Sequence, residues 1–484
     1  MLPVSEPAIA EKSTPPPQPF LQRILLGNRP NPELMAILLV YFVQGILGLA
    51  RLAVSFFLKD DLGLSPAEVA ALTGIAGIPW MVKPLFGFLS DGLPIFGYRR
   101  RPYLILSGMA GSAAWVALAT VVDSAWAATL AIALSSLSVA VSDVIVDSLV
   151  VERARGESIA QTGSLQSLCW GTSAIGGLLT AYLSGALLEQ FSVQTVFLMT
   201  SSFPLLVAAA ALLISEERRS QQPDWSSFTS QVGLLRKAVS QKVIWLPTLF
   251  LFLWQATPSA DSAFFYFSTN ELGFGPEFLG RVRLVSSIAM LLGIGAFNRF
   301  FKAVPIRKIF TWSILASTVL GLTTLLLITH TNRALGIDDR WFSLGDSLIL
   351  TVAGQIAFMP VLVLAARLCP PGVEATLFAL LMSVLNLSGA VSQELGAILT
   401  HWLGVTETNF DNLWLLVTIT SLSTLLPLPL VGWLPDASDD GDDPSGDRPD
   451  ELPPEVTVAH KSGGPAMIPS LVPDMLPEPE RQQS

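Results

Sequence analysis

The sequence predicts an all-α membrane protein, with twelve transmembrane helices in two six-helix bundles, and three observations predict it. Of the 484 residues 51% are hydrophobic and only 14% are charged, and the mean hydropathy is +0.56. Apolar runs long enough to cross a bilayer fall at 34–58, 67–89, 103–121, 126–150, 161–188, 193–215, 244–270, 278–301, 306–329, 344–368, 374–400 and 413–434. The longest polar gap inside this array, 216–243, separates six runs from six.

The expected organisation follows in chain order. Residues 1–32 are rich in Pro and polar residues and lack the short apolar core of a signal peptide, so they predict a disordered cytoplasmic arm, with span 1 as the insertion signal. Residues 33–215 form the first bundle, 216–243 the cytoplasmic central loop, and 244–434 the second bundle. Residues 435–484 are acidic and Pro-rich, cannot bury a core, and predict a disordered tail. That tail carries nearly all of the net charge of -10.

Lys and Arg gather in alternate loops. Arg23 and Arg29, Arg99 to Arg101, Arg153 and Arg155, five in the 218–242 stretch, Arg299 to Lys308, and Arg367 lie on one side. The other side holds only Lys59, Arg281, Arg283, Arg333 and Arg340. By the positive-inside rule both termini are cytoplasmic. The segment after span 4, with Gln166 and Gly171, faintly echoes the one after span 10, with Asn386 and Gly389, as a duplicated transporter would.

Charge inside the apolar runs marks the candidate site, because an acid or base at bilayer depth is expensive and faces a partner or a water-filled path. Asp143 and Asp147 stand four apart, on one face of a helix. A helix rises about 1.5 Å per residue, so depth is read by counting. Counting puts Lys83 level with Asp143, Arg51 with Asp261, Asp147 with Arg367, and Arg283 with Glu394. The expectation is an outer gate in Arg51 and Asp261 and an inner gate in Asp147 and Arg367. Fixed neutralisation of buried charge is the alternative.

Between these levels lie Gln44, Trp80, Trp170, Trp254, Gln255 and Asn386, polar and aromatic groups that suit a flat ligand; plain packing between helices is the other reading. Pro79, Pro84 and Pro258 fall within spans, where they free backbone carbonyls. Neither an enzyme nor a resident cofactor is expected. His330, His401 and His460 lack metal spacing, Cys169 and Cys369 form no framework, and no glycine-rich phosphate loop is present. Without that loop the energy source is an ion gradient or an exchanged solute.

The stretch Lys83 to Tyr103, KPLFGFLSDGLPIFGYRRRPY, has Gly87 and Asp91 in a GxxxD start and then Gly97 with Arg99, Arg100 and Arg101. It resembles the loop signature of the major facilitator superfamily, although the Asp-to-Gly gap is longer than usual. Together with Ser142 to Arg155, SDVIVDSLVVERAR, it resembles the folate-biopterin transporter family, in its cyanobacterial and plastid branch. The resemblance implies a fold of major facilitator type, uptake of folates or pterins, and proton coupling. In that light Asp143 or Asp261 would accept the ring N–H groups, and Trp80 or Trp254 would stack on the ring. Arg51, Lys83 or Arg283 would meet the glutamate tail, while Asp91 and Arg99 to Arg101 serve the inner gate and topology. A monomer in a plasma or photosynthetic membrane is expected, with no nucleic-acid partner. The rivals are a carrier of another aromatic or anionic solute, and a non-transporting membrane assembly factor on the same fold.

Overall fold

The computed structural model describes residue 25, residues 28–154, 159–218, residue 233, and residues 240–301, 304–367 and 374–435. Most of the arm at 1–32, much of the central loop and nearly all of the acidic tail lie outside the described residues.

Among the described residues every extended element is helical. In the first half these are α1 (Pro32–Ile46), α2 (Leu49–Phe56), α3 (Pro66–Ala76), α4 (Ile78–Met81), α5 (Lys83–Gly92), α6 (Arg101–Thr120), α7 (Ala125–Ala154), α8 (Ile159–Gln190) and α9 (Val193–Ala210). The second half holds α10 (Lys242–Gln255), α11 (Asp261–Tyr266), α12 (Pro276–Ala296), α13 (Ile306–Ile328), α14 (Thr331–Ala334), α15 (Asp339–Arg367), α16 (Glu374–Trp402) and α17 (Leu413–Ser423). Nine helical runs among the described residues are long and apolar enough to cross a membrane, where the sequence reading expects twelve. Two of the remaining three are broken into pieces: the second run yields α3 to α5, and the seventh yields α10 and α11. The last is the 29-residue helix α16.

Proline chemistry explains the breaks. The ring removes a donor and clashes with the carbonyl four residues back, so a helix stops and restarts with Pro in its first turn. Pro79 sits in the first turn of α4 and Pro84 in that of α5, with Val82 non-helical between them. Pro258 lies in the gap between α10 and α11. Part of the backbone freed there is satisfied by α16, since Ser392 Oγ donates to the Thr257 carbonyl at 2.6 Å and the Ser259 N–H donates to the Ser392 carbonyl at 3.2 Å. Irregular backbone at this depth survives because protein encloses it.

Both halves open alike. The segments after α2 and α11 end in five-residue π-turns, Phe57–Asp61 and Phe267–Glu271. Each then reaches a Leu-Gly pair, whose Gly63 (φ 61°) and Gly273 (φ 67°) occupy the left-handed region that L side chains avoid. Pro66 and Pro276 begin the next helices. The repeat is written in the chain as FLKDDLGLSP and FSTNELGFGP. It is plainer than the echo after spans 4 and 10.

Small residues set the closest helix approaches. Gly45 of α1 lies against Ser173 and Gly177 of α8, and Gly108 of α6 against Pro204 and Ala208 of α9. Between the halves, Gly185 of α8 faces Pro276 and Gly280 of α12. A Cβ at Gly185 would run into the Pro276 carbonyl oxygen, which is backbone and cannot swing away. Gly185→Leu is therefore expected to cost about 1–3 kcal/mol by overpacking, read as a fall in the unfolding temperature of the detergent-purified protein. An unchanged unfolding temperature would mean that this contact is not close in solution.

Candidate functional site

The central cluster is built where α5 restarts after the Pro84 break. Lys83, the first residue of α5, places its ammonium in an ion pair with Asp143 of α7, and the two side chains keep only 21% and 15% of their exposure. The same ammonium lies 5.1 Å from the centre of the Trp80 ring, a cation–π contact that helps to hold a partly desolvated charge. One turn along α7, Asp147 accepts a hydrogen bond of 2.5 Å from the buried Tyr41 hydroxyl of α1. Asp147 itself is not packed over, and it stands beside Tyr41 of α1 and one turn from the Asp143 that pairs with Lys83 of α5. Two carboxylates share one ammonium and one hydroxyl.

The cluster reaches the other half through a consequence of the same break. Pro84 has no N–H to offer the Trp80 carbonyl four residues back, and the Asn386 amide of α16 donates to it instead, at 3.0 Å. One turn beyond Asn386, Gly389 faces the Gln255 side chain, whose Nε2 is 3.8 Å from where a Cβ would stand. Gln255 opens onto a cavity of about 370 Å3 lined by Trp254, Gln255, Thr257, Pro258, Ser259, Ile314, Ser317, Gly354, Ala357, Phe358, Ser392 and Thr424. The Trp254 ring meets Phe310 edge to face at 5.4 Å. Gln255 Oε1 and Gln44 Nε2 are buried without a hydrogen-bond partner among the described residues.

The expected gate pairs are rearranged. Arg51 and Asp261 are both exposed and form no ion pair among the described residues; Arg51 instead lies within the electrostatic reach of Arg283. Depth matched Arg51 to Asp261, but depth fixes height along a helix and not direction about its axis. At the end predicted to face outward, the halves are joined by Lys59, whose ammonium donates to Asn270 Oδ1 at 2.8 Å. Tyr266 adds a hydrogen bond to the Leu64 carbonyl, and Phe56 meets Phe265 at 5.4 Å. Glu394 does not pair with Arg283 among the described residues; its Oε1 lies 2.7 Å from the place of a Gly74 Cβ, so it fills the space that glycine leaves. Asp147 pairs with Tyr41, while the Arg367 side chain of the expected inner gate lies outside the described residues.

Arg99, Arg100 and Arg101 form a staple. Their backbone N–H groups converge on the Glu216 carboxylate. The buried Arg100 guanidinium donates to Ser90 Oγ at 2.9 Å and Glu152 Oε1 at 2.8 Å. Arg101 Nε donates to the Ala211 carbonyl at 3.2 Å. Together they tie the ends of α5, α6, α7 and α9. The Asp91 side chain lies outside the described residues. Trp170 is 58% exposed on α8 and contributes nothing to the cavity wall.

Sequence reading missed Tyr41, although it lies three residues before Gln44 and so shares its face of the helix. It also missed Glu152 and Glu216, and Asp346, which accepts from Thr323 at 2.7 Å and Thr324 at 3.0 Å. Apart from Glu152, which pairs with Arg100, the partner is a hydroxyl or a backbone group, which a search for opposite charges passes over.

A model of the BT1 family matches residues 44–451. A folate-biopterin transporter of Synechocystis is 61% identical over 476 residues, 96% of this chain and 96% of that one. Folate transporter 2 of Plasmodium falciparum is 32% identical over 401 residues, covering 83% of this chain and 88% of the relative. A probable folate-biopterin transporter 2 of Arabidopsis thaliana is 34% identical over 421 residues, with coverages of 84% and 83%. Among solved structures, the nucleoside transporter NupG superposes with a TM-score of 0.62 at 15% identity, over 83% of this chain and 98% of that one. The D-xylose-proton symporter gives 0.58 at 15% identity, over 83% and 98%. At that identity the likeness establishes the fold alone. The chain is thus an integral membrane protein with a transporter fold of major facilitator type, and it belongs to the BT1, or folate-biopterin transporter, family.

Proposed function

We propose that this chain is a secondary active transporter that moves folates, pterins or both across a membrane by alternating access, coupled to protons. The observation that carries the reading is the cluster of Lys83, Asp143, Asp147 and Tyr41 at a helix break, because a partly buried ion pair beside a solvent-accessible acid belongs to a path and not to a lipid-facing wall. Lys83 is the anchor for an anionic substrate group, which competes with Asp143 for the ammonium. Asp147 is left facing a hydroxyl, and it is the group that takes up the coupling proton. Trp80, held by Asn386, gives the substrate a flat face. The relatives named as folate or folate-biopterin transporters support folates and pterins as the solute class. The chain acts as a monomer with both termini cytoplasmic. The test is accumulation of labelled folic acid by folate-impermeable cells expressing the chain. No accumulation by correctly inserted protein would end the assignment.

In this reading Lys59 with Asn270 and Tyr266 with Leu64 make the outer latch, while Arg51, Arg283 and Asp261 line the path beneath it. Joining Lys59→Cys to Asn270→Cys with a short bifunctional thiol reagent is expected to reduce uptake to background, and cleavage of the link to restore it. Full uptake by the cross-linked protein would show that this contact need not open.

A further inference from the structure

The charged cluster and the neutral cavity lie on different halves of the chain. Lys83, Asp143 and Asp147 lie on α5 and α7, whereas every residue lining the cavity beside the α10–α11 break is uncharged. Its volume of about 370 Å3 falls inside the roughly 300–1,000 Å3 range of small-molecule sites. Trp254 and Phe358 supply aromatic surface, and Gln255, Thr257, Ser317 and Ser392 supply neutral hydrogen-bonding groups. Pro258 has no N–H to give the Trp254 carbonyl four residues back, and Gln255 Oε1 is buried without a partner among the described residues. The break thus leaves one backbone acceptor without its helical donor, next to a side-chain acceptor without a partner, as at a site that awaits N–H donors from a ligand. A chain of neighbouring residues, Gln255, Gly389, Asn386 and Trp80, links the cavity wall to the charged cluster.

We propose that this cavity seats the uncharged fused-ring head of the substrate, with Gln255 and the backbone at the α10–α11 break reading the ring's N–H edge, while an anionic tail stays at Lys83. The inference rests on the folate or pterin reading and divides that substrate between the two halves of the protein. A tail without its ring would then use only the charged cluster at Lys83.

Gly354 offers a clean test, because it lines the cavity and an added Cβ there meets nothing within 4 Å. Gly354→Leu fills the cavity without displacing the helix. Gly345, nine residues earlier on α15, also has open space around its Cβ position, faces the opposite side, and controls for the substitution itself. The measurements are labelled folic acid uptake and its inhibition by an unconjugated pterin (ring alone) and by aminobenzoyl-glutamate (tail alone). Gly354→Leu and, independently, Gln255→Leu are expected to weaken folate and pterin by about tenfold or more, a change of about 1.4 kcal/mol, and to leave inhibition by the tail unchanged. Gly345→Leu behaves as the parent chain. Parental affinity for the pterin in both variants, or an equal loss of ring and tail, overturns the proposal. Failure of the carrier assignment is seen separately, as absence of folate uptake by the parent chain before any substitution is made.

Discussion

Lys83→Ala is expected to abolish folate uptake, with the largest loss of any single substitution in the path. The change removes the ammonium that pairs with Asp143 and faces Trp80, and it leaves a partly buried carboxylate uncompensated. Breaking such a pair from one side typically costs about 3–5 kcal/mol, so the variant should also reach the membrane at reduced level. Asp143→Asn combined with Lys83→Ala removes both charges and should restore that level without restoring uptake. Surface labelling alongside folate uptake separates the two effects. Recovery of transport in the doubly neutral protein would reduce the pair to a structural tie and remove Lys83 as the substrate anchor.

Asp147→Asn should uncouple the transporter and leave its passage intact. The residue is exposed, bonded to Tyr41, and one turn from a carboxylate that already holds the nearby ammonium. An amide keeps the shape and the bond to Tyr41 but cannot carry a proton. In proteoliposomes, accumulation driven by an imposed pH gradient should vanish, while exchange of labelled for unlabelled folate continues. Tyr41→Phe removes the only hydroxyl seen to hold Asp147 among the described residues and should weaken coupling by about tenfold, the effect of a hydrogen bond to a charged group worth roughly 1.5–3 kcal/mol at its lower end. Persistence of gradient-driven accumulation in Asp147→Asn would move the proton site elsewhere in the chain.

Much of the site was legible because membrane depth is a simple coordinate. Counting along helices placed Lys83 and Asp143 at one level, and the structure pairs them. Pro79, Pro84 and Pro258 marked breaks in the backbone, whereas Pro204, Pro247 and Pro360 lie inside continuous helices. Depth also matched Arg51 with Asp261 and Arg283 with Glu394, where no ion pair forms among the described residues. Tyr41 was overlooked for a different reason: a phenol within an apolar run resembles packing until its partner is known. The repeated Leu-Gly turn before Pro66 and Pro276 was readable from the chain, and it would have pointed to Lys59 and Tyr266, beside those turns, as the contacts joining the halves.

The sequence by itself determined the solvent, the all-helical class and the family, since composition, the length of apolar runs and a few motifs suffice for each. The tertiary structure alone decided which charges meet, where the neutral cavity lies and how the halves touch. The reason is geometric: the position of a residue along a helix sets its height in the bilayer, but its direction around the axis is set by how each helix rotates to pack on its neighbours.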